Sequence, residues 1–290
     1  MRFRFSLTTV LLMVFLLSSR SQLLRMSSPH TAFPDTGRIQ GHVYDSVLYD
    51  ATAHYTDSNV LILVPDRLPA IKKLDLVFWF HGWRNNIDTA IAYYHLADQF
   101  LASNRNAVLV LAETAKNSPD SYGGKLENPA VFKALVNDVL VELKKRNKIG
   151  AQCETGNILL AGHSGAYRVI ARILTYGEVK IREVLLFDAL YGERDLFDQW
   201  LRSDTHNRLI NWFTDEGGGT DEESIKMMDQ LKKEGLTVYF RDESSMSVSD
   251  LSLNRIIFLH SKRAHNDIIF NPDNFRMMLE TSPFLKALPK

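Results

Sequence analysis

From about residue 74 onward the chain alternates two rhythms of hydrophobic and polar positions. The compact apolar runs are LDLVFWF (74–80), NAVLVLAE (106–113), Ile158-Leu159-Leu160, EVLLF (183–187), RLINWF (208–213), LTVYF (236–240) and RIIFLH (255–260). Such short, continuous runs of strand formers read as strands buried on both faces. Between them the spacing is helical, over 89–102, from Asn128-Pro129 to Lys144-Lys145-Arg146, over 194–203, over 221–234 and from near Asp273. Expected end signals are Asp88 as an N-cap, Asn128 and Pro129 as cap and first residue, a Thr220/Glu223 capping box, and Gly235 as terminator. Ahead of residue 74, GHVYDSVLY and NVLILVP read as strands, and residues 22–39 as an exposed lead-in rich in Ser, Pro and Thr.

Strands alternating with helices predict an α/β fold: a three-layer α/β/α sandwich whose mostly parallel sheet has about eight strands. Strand hairpins would sit at its front edge. No internal repeat, low-complexity segment or interdomain linker divides residues 22–290, so they form one domain.

The first residues follow another pattern. Arg2 and Arg4 precede an apolar run from Leu7 to Leu17, and Ser18-Ser19-Arg20-Ser21 follows it. This is the layout of a secretory signal peptide over residues 1–21, cut near Gln22, with export to a periplasmic or extracellular space. The run is short for a spanning helix; an uncleaved membrane anchor is the alternative. The mature chain has no expected span.

Of the 290 residues 45% are hydrophobic, enough for one sizeable core, and Lys+Arg and Asp+Glu both total 34. A balanced charge with no basic stripe argues against a nucleic-acid partner. Cys153 is the single cysteine, which excludes an internal disulfide and reads as an incidental thiol. No HExxH or paired Cys/His spacing supports a metal site. Gly217-Gly218-Gly219 lacks the lysine of a phosphate-binding loop and reads as an ordinary connection.

The chemistry concentrates in one place. Ile158-Leu159-Leu160 breaks at Gly162-His163-Ser164-Gly165-Ala166, and Ala166, Val169, Ile170, Ile173 and Leu174 then form a helical stripe that Gly177 closes. Strand, sharp turn and helix are joined with almost no loop. This nearly matches the nucleophile elbow G-x-S-x-G, with Ala166 in place of the final glycine. A serine held on a strained turn crowds the positions two before and two after it, so both must be small. The turn also sets Ser164 at a helix N-terminus, where free N–H groups stabilise developing negative charge.

On these residues the chain resembles the α/β-hydrolase superfamily over nearly its whole mature length. The resemblance implies that His81-Gly82-Trp83, at the end of LDLVFWF, places the Trp83 N–H in an oxyanion hole with the N–H of Gly165. It implies a catalytic triad in the order Ser…Asp/Glu…His. His265, in SKRAHND after the last strand, is favoured as base over His260, which closes that strand, and over His206, read as surface. For the acid, Asp188 is favoured, with Asp215 as the alternative: the family's usual placement favours Asp215, but the apolar setting of Asp188 suits a buried orienting carboxylate. Arg84, Asn85, Asn86, Tyr122 and Tyr191 flank the expected cleft. The implied function is an exported serine hydrolase forming an acyl-enzyme, with an ester as default bond and peptide, amide, thioester and lipid substrates open. It would act on a small-molecule or acyl substrate and need no cofactor. A non-catalytic relative that binds a ligand in the same cleft is the competing class.

Overall fold

The computed structural model describes residues 21–289 except Arg67, Ala70 and Gly217. The signal-peptide expectation therefore lies almost wholly outside the described residues. Strands are β1 (Gln22–Ser27), β2 (His42–Tyr44), β3 (Val47–Tyr49), β4 (Asn59–Val64), β5 (Lys73–Phe80), β6 (Ala107–Ala112), β7 (Glu154–His163), β8 (Ile181–Phe187), β9 (Arg208–Thr214), β10 (Tyr239–Asp242) and β11 (Ile256–Ser261). Helices are α1 (Ala51–His54), α2 (Ile87–Tyr93), α3 (Leu96–Ala102), α4 (Val131–Lys145), α5 (Tyr167–Tyr176), α6 (Arg194–Ser203), α7 (Thr220–Lys233), α8 (Val248–Leu253) and α9 (Asn274–Thr281).

Nine strands form one sheet in the order β1-β4-β6-β5-β7-β8-β9-β11-β10. β1 and β4 are antiparallel to their neighbours, and every pair from β6 to β10 is parallel. β2 and β3 form a separate hairpin. Because side chains alternate across a strand, β5 feeds two cores at once. Leu74, Leu76, Phe78 and Phe80 pack in a layer with α4, α5, α6 and α7, while Val77 and Trp79 pack opposite with α2, α3, α8 and α9.

That layering positions the site. β5 and β7 are adjacent, yet the helices that follow them lie on opposite faces of the sheet. Their connections diverge at the carboxyl ends of the two strands and open a crevice there, as at any topological switch point.

Several local expectations are corrected. Residues 22–27 are exposed as expected but form the edge strand β1 rather than an irregular lead-in, and Ala32 and Phe33 beyond it are fully buried. The sheet has nine strands, in line with the expected eight or so; β1, absent from the expected strands, forms one edge. The single helix over 89–102 is two helices, broken at His95, whose φ is 50°. Its cap is Asn86, whose side chain accepts the Thr89 N–H (2.9 Å), and not Asp88. Asn128 and Pro129 do not open α4; it begins at Val131 after a left-handed Ala130. Thr220 is the first residue of α7 rather than its cap, because its hydroxyl bonds to Asp188 instead. LTVYF starts its strand only at Tyr239, since Leu236 belongs to the end of α7. Leu236 N–H bonds to Leu231 O (2.9 Å) and Gly235 N–H to Lys232 O (3.0 Å), a Schellman closure with Gly235 at φ 82°.

Candidate active site

Ser164 directly follows β7, at φ 55°, a region that side chains other than glycine rarely enter. A single turn over Ser164–Ala166 then leads into α5. The small neighbours are required: a Cβ on Gly162 would stand 2.7 Å from the Ala166 Cβ and 2.7 Å from the Ile170 Cδ1. Gly82, two residues past the end of the neighbouring strand β5, is pressed against the serine, and a Cβ there would stand 2.6 Å from the Ser164 Cβ. The Trp83 backbone therefore begins beside Ser164, and its indole covers Gly165.

Asp188 follows β8 at φ 46° and is fully buried. Its carboxylate accepts the Thr214 N–H (3.0 Å), the Thr214 hydroxyl (2.7 Å), the Thr220 hydroxyl (2.5 Å) and His265 Nδ1 (2.6 Å). Burial alone would raise its pKa, but the hydrogen bonds from His265, Thr220 and Thr214 outweigh it and hold the carboxyl below its ordinary value. The acceptor thus stays ionised where it faces the imidazole. His265 is itself fixed through its main chain, whose N–H donates to Glu216 Oε2 (2.6 Å).

His163, next to Ser164, lies under the His265 ring at a centroid distance of 4.3 Å. It is buried, and that burial, helped by the neighbouring His265, lowers its pKa to about 3. A neutral ring has one N–H to give. Nε2 lies 3.0 Å from the His265 carbonyl, which can only accept, so that nitrogen donates. Nδ1 then carries no hydrogen; it lies 3.1 Å from the Tyr94 hydroxyl, which donates to Asn266 Oδ1 (2.9 Å).

The other candidates are placed elsewhere. Asp215 is 62% exposed at its side chain and bonds to His260 Nε2 (2.7 Å), not to His265. His260 also meets Asp242 through Nδ1 (2.7 Å). Burial works against its charge, but hydrogen bonds to Asp242 and Asp215 prevail and raise its pKa. His206 is exposed and bonds to Asp204. Cys153 is buried before β7.

A pocket of about 310 Å³ opens on Ser164, lined by Trp83, Ser121, Gly165, Tyr167 and Tyr191. The Trp83 indole N–H donates to Ser121 Oγ (2.7 Å), and Tyr44 of the β2–β3 hairpin packs edge-on against the same indole at 5.2 Å. Burial first, and the Asp188 charge second, push the Tyr191 hydroxyl to about 12. Of the expected rim residues only Tyr191 lines this pocket. Tyr122 turns away to Asp35 (2.7 Å), and Asn85 and Asn86 are spent on the loop and the α2 cap. The Arg84 main chain, at φ 54°, donates to the Ser118 carbonyl (2.9 Å).

Sequence reasoning missed Thr214, Thr220, Glu216, His163, Tyr94, Ser121 and Tyr167. Thr214 carried only the mark of a polar residue ending an apolar strand, and nothing in the sequence sets it against Asp188. Among the described residues no group of three or more His, Cys, Asp or Glu side chains is placed to hold a metal ion. Nor is any helix among them long and apolar enough to cross a membrane.

No family model and no curated protein matches the chain. Solved structures do resemble it. FphF, a fluorophosphonate-binding serine hydrolase of Staphylococcus aureus, superposes with a TM-score of 0.53 at 11% identity, over 90% of this chain and 99% of that one. The feruloyl esterase module of Clostridium thermocellum gives 0.54 at 11%, over 94% and 91%. Carboxyl esterase 2 of Tuber melanosporum gives 0.52 at 11%, over 94% and 90%. At such identities the likeness is one of fold. The chain has the α/β-hydrolase fold.

Proposed function

We propose that this protein is a serine hydrolase that cleaves carboxylic esters, with Ser164 as nucleophile, His265 as base and Asp188 as the orienting acid. The observation that carries the reading is the buried Asp188 held on His265 Nδ1 at 2.6 Å, with the His265 ring packed on His163, the residue before a serine on a strained strand-to-helix turn. Ser164 Oγ bonds to the ester carbonyl carbon as its proton passes to His265 Nε2. Negative charge on the carbonyl oxygen is met by the Trp83 and Gly165 N–H groups. The intermediate collapses, and the alcohol leaves with the proton from Nε2. Water, giving a proton to the same nitrogen, then attacks the acyl-enzyme; the bond to Ser164 Oγ breaks, Oγ takes that proton back, and the acid is released. Asp188 stays ionised and stabilises the imidazolium formed in both halves.

Three aromatic walls, Trp83, Tyr167 and Tyr191, suit a planar aromatic group on one side of the ester. Feruloyl esterases stand among the solved structures that share this fold. Export forms part of the proposal, supported by the basic and apolar layout of residues 1–21. A fluorophosphonate probe tests the core of the reading. Covalent labelling of the parent, lost in Ser164→Ala, is the expected result, and an unlabelled, folded parent would overturn it. Mass spectrometry of the exported protein is expected to find an N-terminus near Gln22, and a chain starting at Met1 would refute cleavage.

A further inference from the structure

The loop from β5 to α2 carries a buried pair that the reaction itself does not use. His81 follows β5, and Glu113 follows β6 beside it; both side chains are 1% exposed. His81 Nδ1 lies 2.8 Å from the carbonyl oxygen of Gly82, and Nε2 lies 2.7 Å from Glu113 Oε1 and 2.9 Å from Thr114 Oγ1. A carbonyl oxygen only accepts, so Nδ1 carries a hydrogen. The contact between Nε2 and the carboxyl group needs a second hydrogen between them.

The Gly82 carbonyl and the Trp83 N–H belong to one peptide unit, which is planar and trans, so they point in opposite directions. Pinning the oxygen toward His81 aims the Trp83 N–H away from it. Rotation of that peptide would bring a carbonyl oxygen to where the N–H belongs, and a developing oxyanion would be repelled instead of bound. Gly82 stands against Ser164, so the orientation of this one peptide matters. The same Glu113 reaches the far end of the loop, where its Oε2 accepts the Ile87 N–H at 3.4 Å at the start of α2. One buried carboxylate thus holds both ends of residues 81–87, across a left-handed Arg84.

We propose that His81, backed by Glu113, is a positioning residue that locks the Gly82–Trp83 peptide with its N–H toward the oxyanion. The inference rests on the serine-hydrolase reading above. Its test compares variants that share the Glu113→Gln change, so that no charge is orphaned in the interior. His81→Asn keeps an N–H donor near the Nδ1 position, whereas His81→Leu removes it; His81→Ala is the second donorless variant should leucine prevent folding, with circular dichroism as the check. Loss of one oxyanion donor costs about 10²–10³ in kcat. The donorless variants are therefore expected to lose about a hundredfold in kcat with KM nearly unchanged, and to bind a tetrahedral boronic acid more weakly in parallel. The asparagine variant should recover at least about tenfold of that loss. Equal rates with and without the donor would overturn the inference, as would a loss confined to KM with boronate affinity unchanged. Fluorophosphonate labelling of the parent keeps the two readings apart: a parent that does not label removes the serine-hydrolase reading, whereas a labelled parent with equal variants removes only the positioning role.

Discussion

Two aspartate–histidine pairs stand at the same end of the sheet, one strand apart, and they are built differently. Asp188 is buried, receives three threonine hydrogen bonds, and meets His265 through Nδ1. Asp215 is exposed and meets His260, which is already held by Asp242 on its other nitrogen. An imidazole with both nitrogens on carboxylates has none to offer a serine hydroxyl. One with a single nitrogen so engaged keeps the other. The difference teaches that a strand-end Asp near a His does not define an orienting acid; burial, rigid donors and an open second nitrogen do.

The sharpest way to break the comparison is at the serine they would serve. Ser164→Ala is expected to leave a folded protein whose ester turnover falls on the order of 10⁶-fold, measured with a p-nitrophenyl ester. Turnover at the parent rate would detach both pairs from catalysis. Next in size, Asp188→Asn should lower kcat by about 10⁴, because the amide favours the wrong imidazole tautomer. The same change at Asp215 should leave kcat close to the parent. The reverse ranking would move the acid to Asp215, and mild effects from both would remove the triad.

A smaller effect separates the two carboxylates by their support. Thr220→Val deletes one donor to a buried ionised group, and urea unfolding should register a loss of about 1.5–3 kcal/mol. Asp215→Asn touches an exposed pair and should cost less than about 1 kcal/mol in the same assay. The smallest effect is one of pH. His260 has a raised folded pKa, so its pairing contributes fully below the unfolded value of about 6.5 and is lost as pH rises through the folded value. His260→Gln should flatten that part of the stability profile without changing kcat. An unchanged profile would show that Asp215 and Asp242 do not hold the ring in solution.

Much was legible in the residues themselves. Continuous apolar runs announced the strands of a parallel sheet because both faces of each are buried. The small residues around Ser164 announced the turn because nothing larger fits between β7 and α5. His81-Gly82 marked the end of β5 for a related reason, since the chain passes against the serine there. These are local requirements, and local requirements leave local traces.

Pairings across the sheet left no such trace. The sequence placed Asp188 and Asp215 at comparable strand ends and could separate them only by the apolarity of the residues just after each. Which carboxylate meets His265 depends on how β11, β9 and β8 lie side by side, and on Thr214 and Thr220 arriving from two other elements. Thr220 looked like a helix cap because capping is the usual role of a threonine before a helix when nothing competes for its hydroxyl. A buried carboxylate competes and wins, because a charge without donors in the interior costs far more than an uncapped helix turn. The sequence alone determined the layers, the turn at Ser164 and the types of residue available for chemistry. Tertiary structure alone decided which carboxylate meets which imidazole, since that choice is made by neighbours of Asp188 that lie 26 to 77 residues away in the chain.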